Sequence, residues 1–184
     1  MARLNVRRTL RRIGRRSDGA AAVEFGLLLP VLVIMLLGVA EIGRLLFHYH
    51  TIAQSVEDGA RYLTRAPGAI DCPDGATWLA TTDPITGLTP VGRARRLTMR
   101  GSLDLTQPWL LYYWTADGTV TVDIDCVANP QDPGTGNYRY RSASNAEVKI
   151  VRLSVAVPYD PLFPLFGVSN VTLSAWSEGR HIGE

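Results

Sequence analysis

Residues 18–47 read DGAAAVEFGLLLPVLVIMLLGVAEIGRLLF, and this stretch decides the fold. Phe25–Ala40 is sixteen residues without a charge, and the wider tract Ala20–Phe47 contains only Glu24, Glu41 and Arg44 as charged side chains. At ~1.5 Å per residue its 28 residues would reach roughly 42 Å as a helix, more than the ~30 Å hydrocarbon core of a bilayer. The tract therefore predicts a membrane-spanning helix whose flanking charges can lie near the interfaces. On its amino side, residues 1–16 carry seven arginines (Arg3, Arg7, Arg8, Arg11, Arg12, Arg15, Arg16) and no acid. The positive-inside rule puts that end in the cytoplasm and everything after Phe47 outside it.

A cleaved secretory signal peptide also has a basic start and an apolar run, but its apolar region is shorter, about 7–15 residues, and ends in a small-residue cleavage site. Here the tract ends in Glu41-Ile42-Gly43-Arg44-Leu45-Leu46-Phe47, with no such site close behind it. The Arg15-Arg16 pair is reminiscent of a twin-arginine signal, yet Ser17-Asp18-Gly19 is polar and the apolar run is long. A retained helix is the expectation.

Composition bounds the rest. With 184 residues, 46% hydrophobic and 20% charged, the chain can build one ordinary domain plus an appendage, and it is neither disordered nor a multidomain machine. The formal charge of +2 belongs to the basic tail, because the 168 residues after Arg16 hold 12 basic and 17 acidic groups. No nucleic-acid partner is expected from such a distribution.

At the junction of tail and helix, Asp18-Gly19-Ala20-Ala21-Ala22-Val23-Glu24-Phe25 places a glycine before a small-residue start, with a carboxylate five positions later and an aromatic next. This resembles a type IVb prepilin processing site, at which a membrane-embedded prepilin peptidase cuts after the glycine on the cytoplasmic side. Cleavage between Gly19 and Ala20 would leave a mature chain with 12 basic and 16 acidic groups. Three further segments extend the likeness: Gly26-Leu27-Leu28-Leu29-Pro30, Gly38-Val39-Ala40-Glu41-Ile42-Gly43-Arg44 and Ala60-Arg61-Tyr62. Together they are similar to the amino-terminal signature of the TadE/TadG-like family, pseudopilins or minor pilin-like proteins of the tight adherence (Tad, Flp) pilus. The resemblance spans about Gly19–Tyr62 and implies no catalytic residue. It carries Gly19 and Ala20 over as the cleavage site and Glu24 and Phe25 as recognition and assembly positions.

An ionised carboxylate in the apolar part of a helix costs several kcal/mol unless it finds a partner. Glu24 can sit in the headgroup layer as a first-turn acid favoured by the macrodipole. It can instead pair with a free amino group, the new Ala20 terminus of a neighbouring subunit, so that helices register. Pro30 lacks a backbone N–H and loosens the turn before it, while Gly26, Gly38 and Gly43 offer small surfaces for helix packing; ordinary membrane-helix composition accounts for them equally well. Glu41 and Arg44 stand three apart on one face and can form an ion pair within the helix or between subunits.

Past the membrane Ile52, Val56, Gly59/Ala60 and Leu63 recur at helical spacing, so the helix is predicted to continue to Ala66 before Pro67-Gly68. That makes a 47-residue helix over 20–66, roughly 70 Å if unbroken, membrane-spanning over about 20–47. His48 and His50 flank Tyr49 but point to different sides of a helix, which argues against a shared metal; no metal or other cofactor is expected.

Residues 67–184 are expected to form an extracytoplasmic β-rich head. Thr119–Val127 alternates, with Val120, Val122, Ile124 and Cys126 on one face and Thr121, Asp123 and Asp125 on the other. Aromatic-rich Trp109–Thr115 is predicted as the strand before it, joined through Ala116-Asp117-Gly118 as a hairpin signal. Glu147–Val157 and Val171–Trp176 complete four strands, whose antiparallel sheet packs one face on the outer half of the helix. The expected class is α+β, a long amino-terminal membrane helix followed by a pilin-like antiparallel sheet.

Cys72 and Cys126 both fall outside the cytoplasm, where a disulfide is the default; free or intermolecularly bridged thiols are the alternatives. Arg93, Arg95, Arg96 and Arg100 read as a solvated basic surface, with acidic lipid or a partner as the other reading. Asp123 and Asp125 are too few for calcium, which takes 6–8 oxygens. The apolar loop Pro158–Gly167 can cover the core or form a subunit contact.

No G-x-S-x-G, H-E-x-x-H, P-loop or paired C-x-x-C arrangement is present, so an enzyme is not expected. The reading is a non-enzymatic pilus component of the bacterial inner membrane, with its head periplasmic or extracellular. Other pilin and pseudopilin subunits, the prepilin peptidase and the Tad inner-membrane assembly platform are its implied partners. A membrane-anchored periplasmic binding module is the rival, and an anchored enzyme the more distant one.

Overall fold

The computed structural model describes residues 18–116, 119–140, 146–164 and 170–183. Residues 1–17 of the basic leader, the Asp117-Gly118 part of the hairpin signal and the Leu165–Gly167 part of the apolar loop lie outside the described residues. Two compact units divide the chain, 1–43 and 44–184. In order the elements are helix α1 (Asp18–Arg65), α2 (Ala76–Ala80), α3 (Pro90–Arg100), and strands β1 (Val120–Ala128), β2 (Glu147–Pro158) and β3 (Thr172–Arg180). A long apolar helix followed by an antiparallel sheet is the expected α+β layout.

In the first unit, α1 is apolar on every side, and it runs through Pro30 as α-helix. Mean hydropathy of its most apolar window is 2.5, with 6% of that window buried. Leu27, Leu28, Leu29, Val31, Leu32, Val33, Ile34, Met35 and Leu36 are all exposed, and at ~100° per residue they face all directions. Water is a poor solvent for such a surface. It is long and apolar enough to cross a bilayer, and it fits a single-pass membrane anchor.

In the second unit, Ile52, Val56, Ala60 and Leu63 of α1 are fully or nearly fully buried, the stripe that the helical spacing predicts. They share one core with Val120 and Ile124 of β1, Val151, Leu153, Val155 and Val157 of β2, and Leu173 of β3. The sheet order is β1-β2-β3, antiparallel throughout, with Val120 opposite Val155 and Val155 opposite Ala175. Gly59 allows the helix to come close. A Cβ there would lie 2.2 Å from Thr98 Oγ1 and 3.1 Å from Leu153 Cδ1. Thr98 cannot retreat, since it is fully buried and its hydroxyl donates to the Ala94 carbonyl at 2.8 Å. Gly59→Ala is therefore expected to destabilise this unit by about 1–3 kcal/mol through overpacking. Chemical denaturation reads it, and an unchanged midpoint would refute the close packing.

One expectation fails here. Trp109–Thr115 is not a strand but a series of turns, in which the Leu110 N–H donates to Met99 O and the Trp114 N–H to Leu111 O. Leu111 and Trp114 are both buried three residues apart while Tyr112 is exposed, so the segment fills the core with a period that no flat strand can supply. Among the described residues the sheet consequently has three strands rather than four. The segment between α1 and β1, to which the sequence reading assigns no element, contains α2 and α3. Asp71 supports the first, α2, by accepting from the N–H groups of Thr77 and Trp78 at 3.1 Å each, which holds its carboxyl below the usual carboxylate range.

The end of α1 is closed by the chain's own carboxyl-terminal segment. The Ile182 N–H donates to Thr64 O at 2.7 Å and the Gly68 N–H to Gly183 O at 3.0 Å. His181 Nε2 lies 2.9 Å from Ala66 O; a carbonyl only accepts, so this nitrogen carries the proton. Orphan carbonyls at a helix terminus are thereby satisfied.

Candidate functional site

Gly19 and Ala20 lie in the first turn of α1, both exposed. The first four N–H groups of a helix have no intrahelical acceptor, so the Gly19–Ala20 bond can be drawn out without breaking an extended ladder. Glu24 and Phe25 are exposed about one turn further on. Glu24 is four residues after Ala20, hence on the same helix face. A Cβ at Gly19, Gly26 or Gly43 would meet no atom within 4 Å. The contrast with Gly59 matters: packing inside this chain demands glycine at 59 and makes no such demand at 19, 26 and 43.

Glu41 is 1% exposed and engaged, whereas its neighbours Ala40 and Ile42 are exposed. In the second unit Arg44 donates from Nη2 to the Tyr112 hydroxyl at 3.1 Å, and its guanidinium carbon lies 5.9 Å from the centre of the Tyr159 ring. Tyr112 in turn donates to the Asp160 carboxylate. His48 is buried, with Nδ1 2.9 Å from the Tyr113 hydroxyl and its ring 5.7 Å from that of Tyr159. Burial pushes the Tyr113 hydroxyl up to about 12, so it stays protonated at any ordinary pH. The sequence reading assigns Tyr112 and Tyr113 to a strand and gives none of these tyrosines a partner. His50 is exposed and apart from this cluster.

Cys72 and Cys126 are joined in a disulfide with their Cα atoms 6.1 Å apart. Glu147 offers a carboxylate near the two sulfurs, but oxidised sulfurs lack the thiolate charge that binds a metal. Asp123 and Asp125 lie exposed on β1, their side chains on the face away from the core.

The arginine cluster is not a plain solvated surface. It belongs to α3, whose start and stop are written in the sequence: Thr89 Oγ1 accepts from the Gly92 N–H at 3.0 Å, Pro90 opens the helix, and Gly101 closes it at φ 66°. Arg93 pairs with Asp83 at 2.6 Å. The Asp83 carboxylate also accepts from the N–H groups of Thr86 and Ile85 at 2.8 and 2.9 Å. The Thr86 N–H first, then Arg93 and then the Ile85 N–H hold its carboxyl down to about 2. An acid depressed on folding stabilises above the unfolded value of 3.8 and loses that contribution as the pH falls through about 2. Asp83→Asn is accordingly expected to flatten the acid limb of a melting-temperature profile within that window; an unaltered limb would show that the loop pairing has no energetic weight.

Among the described residues one apolar helix of membrane-crossing length precedes a disulfide-linked α+β unit, a layout that fits a protein with a single-pass membrane anchor. The sequence model of the TadE-like protein family matches residues 19–61, which carry the resemblance seen in the sequence. Neither curated proteins nor solved structures gave a match.

Proposed function

We propose that this chain is a pseudopilin or minor pilin-like component of a Tad pilus assembly system, acting through helix packing rather than catalysis. The observation that carries this reading is the TadE-like match over 19–61, which begins at Gly19, the residue that sequence alone marks for processing. A prepilin peptidase cleaves between Gly19 and Ala20, removing a cytoplasmic leader of residues 1–19. The helix over 20–66 then spans the inner membrane in its first part, and residues 67–184 form the periplasmic or extracellular head. All-round apolar exposure of α1 supports two successive environments, lipid before assembly and neighbouring pilin helices after it. Glycines at 26 and 43 without an intrachain steric role suit close approach of a second helix.

In that assembly Glu24 pairs with the ammonium of a neighbour's Ala20, so that charge neutralisation sets the axial register, and Phe25 packs beside it. Pro30 eases the bend of the helix, and Glu41 with Arg44 marks the outer boundary of the span. Subunits of the same pilus, the prepilin peptidase and the inner-membrane platform are the partners. Intact-mass measurement of membrane-extracted protein, made with and without active peptidase, tests processing. A Glu24→Ala chain that is trimmed normally but no longer co-purifies with pilin subunits would support the register; one that assembles as before would overturn it.

A further inference from the structure

We propose that a groove on α3 is a binding site for a phosphate-type oxyanion carried on a small body with an apolar face. The cavity, of about 240 Å³, is lined by Arg95, Arg96 and Arg100 together with Leu88, Met99 and Trp109. Arg96 and Arg100 are four residues apart, so they share a helix face at roughly 6 Å. Arg100 is held in place: Nη1 donates to the carbonyls of Leu105, at 3.0 Å, and Gln107, and the guanidinium carbon sits 3.6 Å from the centre of the Trp109 ring. Arg95 donates from Nε to Val120 O at 3.3 Å. Arg96 has no hydrogen bond or ion pair among the described residues, and none of the three has a carboxylate partner among them.

Elsewhere the chain matches arginine to acid where the pair serves structure, as in Arg93 with Asp83 and Arg152 with Glu178 at 2.9 Å. Here three arginines line one groove with no carboxylate partner among the described residues. Each guanidinium has five N–H donors in a planar fork, only a few of which are used, so the groove offers donors in excess and fits a ligand made of acceptors. A phosphate monoester carries about −1.5 to −2 charge and three acceptor oxygens near neutral pH, a closer match to three cations than a single carboxylate. The helix macrodipole opposes an anion toward the carboxyl end of α3, so the attraction must come from the guanidinium groups themselves. Leu88 and the Trp109 indole, both part-exposed, provide apolar surface that bare phosphate leaves uncovered. That surface therefore fits the organic part of a phosphoester, in either a soluble phosphorylated compound or a phospholipid headgroup.

The full chain in phosphatidylcholine nanodiscs, titrated with glycerol 3-phosphate and followed by phosphorus NMR, tests the site. Saturable binding at roughly millimolar or tighter is expected, weakened about tenfold or more by Arg96→Gln. Because Arg96 has no hydrogen bond or ion pair among the described residues, that variant should melt at the same temperature; Arg95→Gln, assayed in parallel, should weaken binding in the same direction. Absence of saturation, equal binding by both variants and the parent, or competition by glucuronate as strong as by inorganic phosphate would each overturn the proposal. Competing vesicles distinguish the sources. Displacement by phosphatidic acid in phosphatidylcholine assigns a headgroup, and displacement by soluble phosphoesters alone assigns a soluble compound.

Discussion

Chains made alongside an active prepilin peptidase are expected to begin at Ala20, and a Gly19→Val chain is expected to keep its leader. This is an all-or-none change in intact mass. Its interpretation is clean because a Cβ at Gly19 would meet nothing within 4 Å, so the substitution breaks no packing in the folded chain. Loss of cleavage then reports on the peptidase's access to the bond rather than on misfolding. A β-branched residue narrows the backbone choices at the position that must leave the first helical turn to enter a protease, whereas glycine leaves them open. Removing the leader also changes the electrostatics of the amino end: seven arginines disappear and one α-ammonium appears four residues before Glu24. If chains retain the leader beside a competent peptidase, or the valine variant is trimmed as readily as the parent, the pilin reading fails and an ordinary anchored module replaces it.

Removing the disulfide is expected to have the largest effect on stability. Cys72 and Cys126 are 54 residues apart, and closing a loop of that length stabilises by about 4 kcal/mol in the chain-entropy model. The bond ties the segment that follows α1 to β1, next to a tight contact. A Cβ at Gly75 would come within 2.4 Å of Ile124 Cδ1, and Gly75 itself has a φ of +62° that other residues rarely adopt. Losing the tether thus frees a segment whose packing depends on close approach. Denaturation of the full chain in detergent, with and without reductant and with Cys72→Ser/Cys126→Ser, can be followed through the buried indoles of Trp78 and Trp114. A loss below about 1 kcal/mol would mean that the open chain already holds these segments together.

These effects differ in how far they could be foreseen. The alternation of Val151, Leu153, Val155 and Val157, and the helical spacing of Ile52, Val56, Ala60 and Leu63, are visible in the chain because each element buries one regular face. Helix α3 was hidden by composition: four arginines in eleven residues make it polar overall, with only Ala94, Thr98 and Met99 on its buried face, although Thr89-Pro90 and Gly101 mark its ends. Trp109–Thr115 misled in the opposite sense. Aromatic residues favour strands, yet Leu111 and Trp114 were needed as core plugs, and filling a space between helix and sheet overrode propensity.

What the amino-acid order alone determined was therefore local and periodic: a membrane-length apolar helix with a processing signature, its amphipathic continuation, three strands, and one possible internal pairing for two cysteines. The strand number, the burial of His48 beside Tyr113, the bond from Arg44 to Tyr112 and the placing of three arginines along one groove came from the folded core instead. The division has a physical cause. Periodicity is imposed by backbone geometry a few residues at a time, whereas these contacts join residues as many as 68 positions apart and form only when the core brings their elements together.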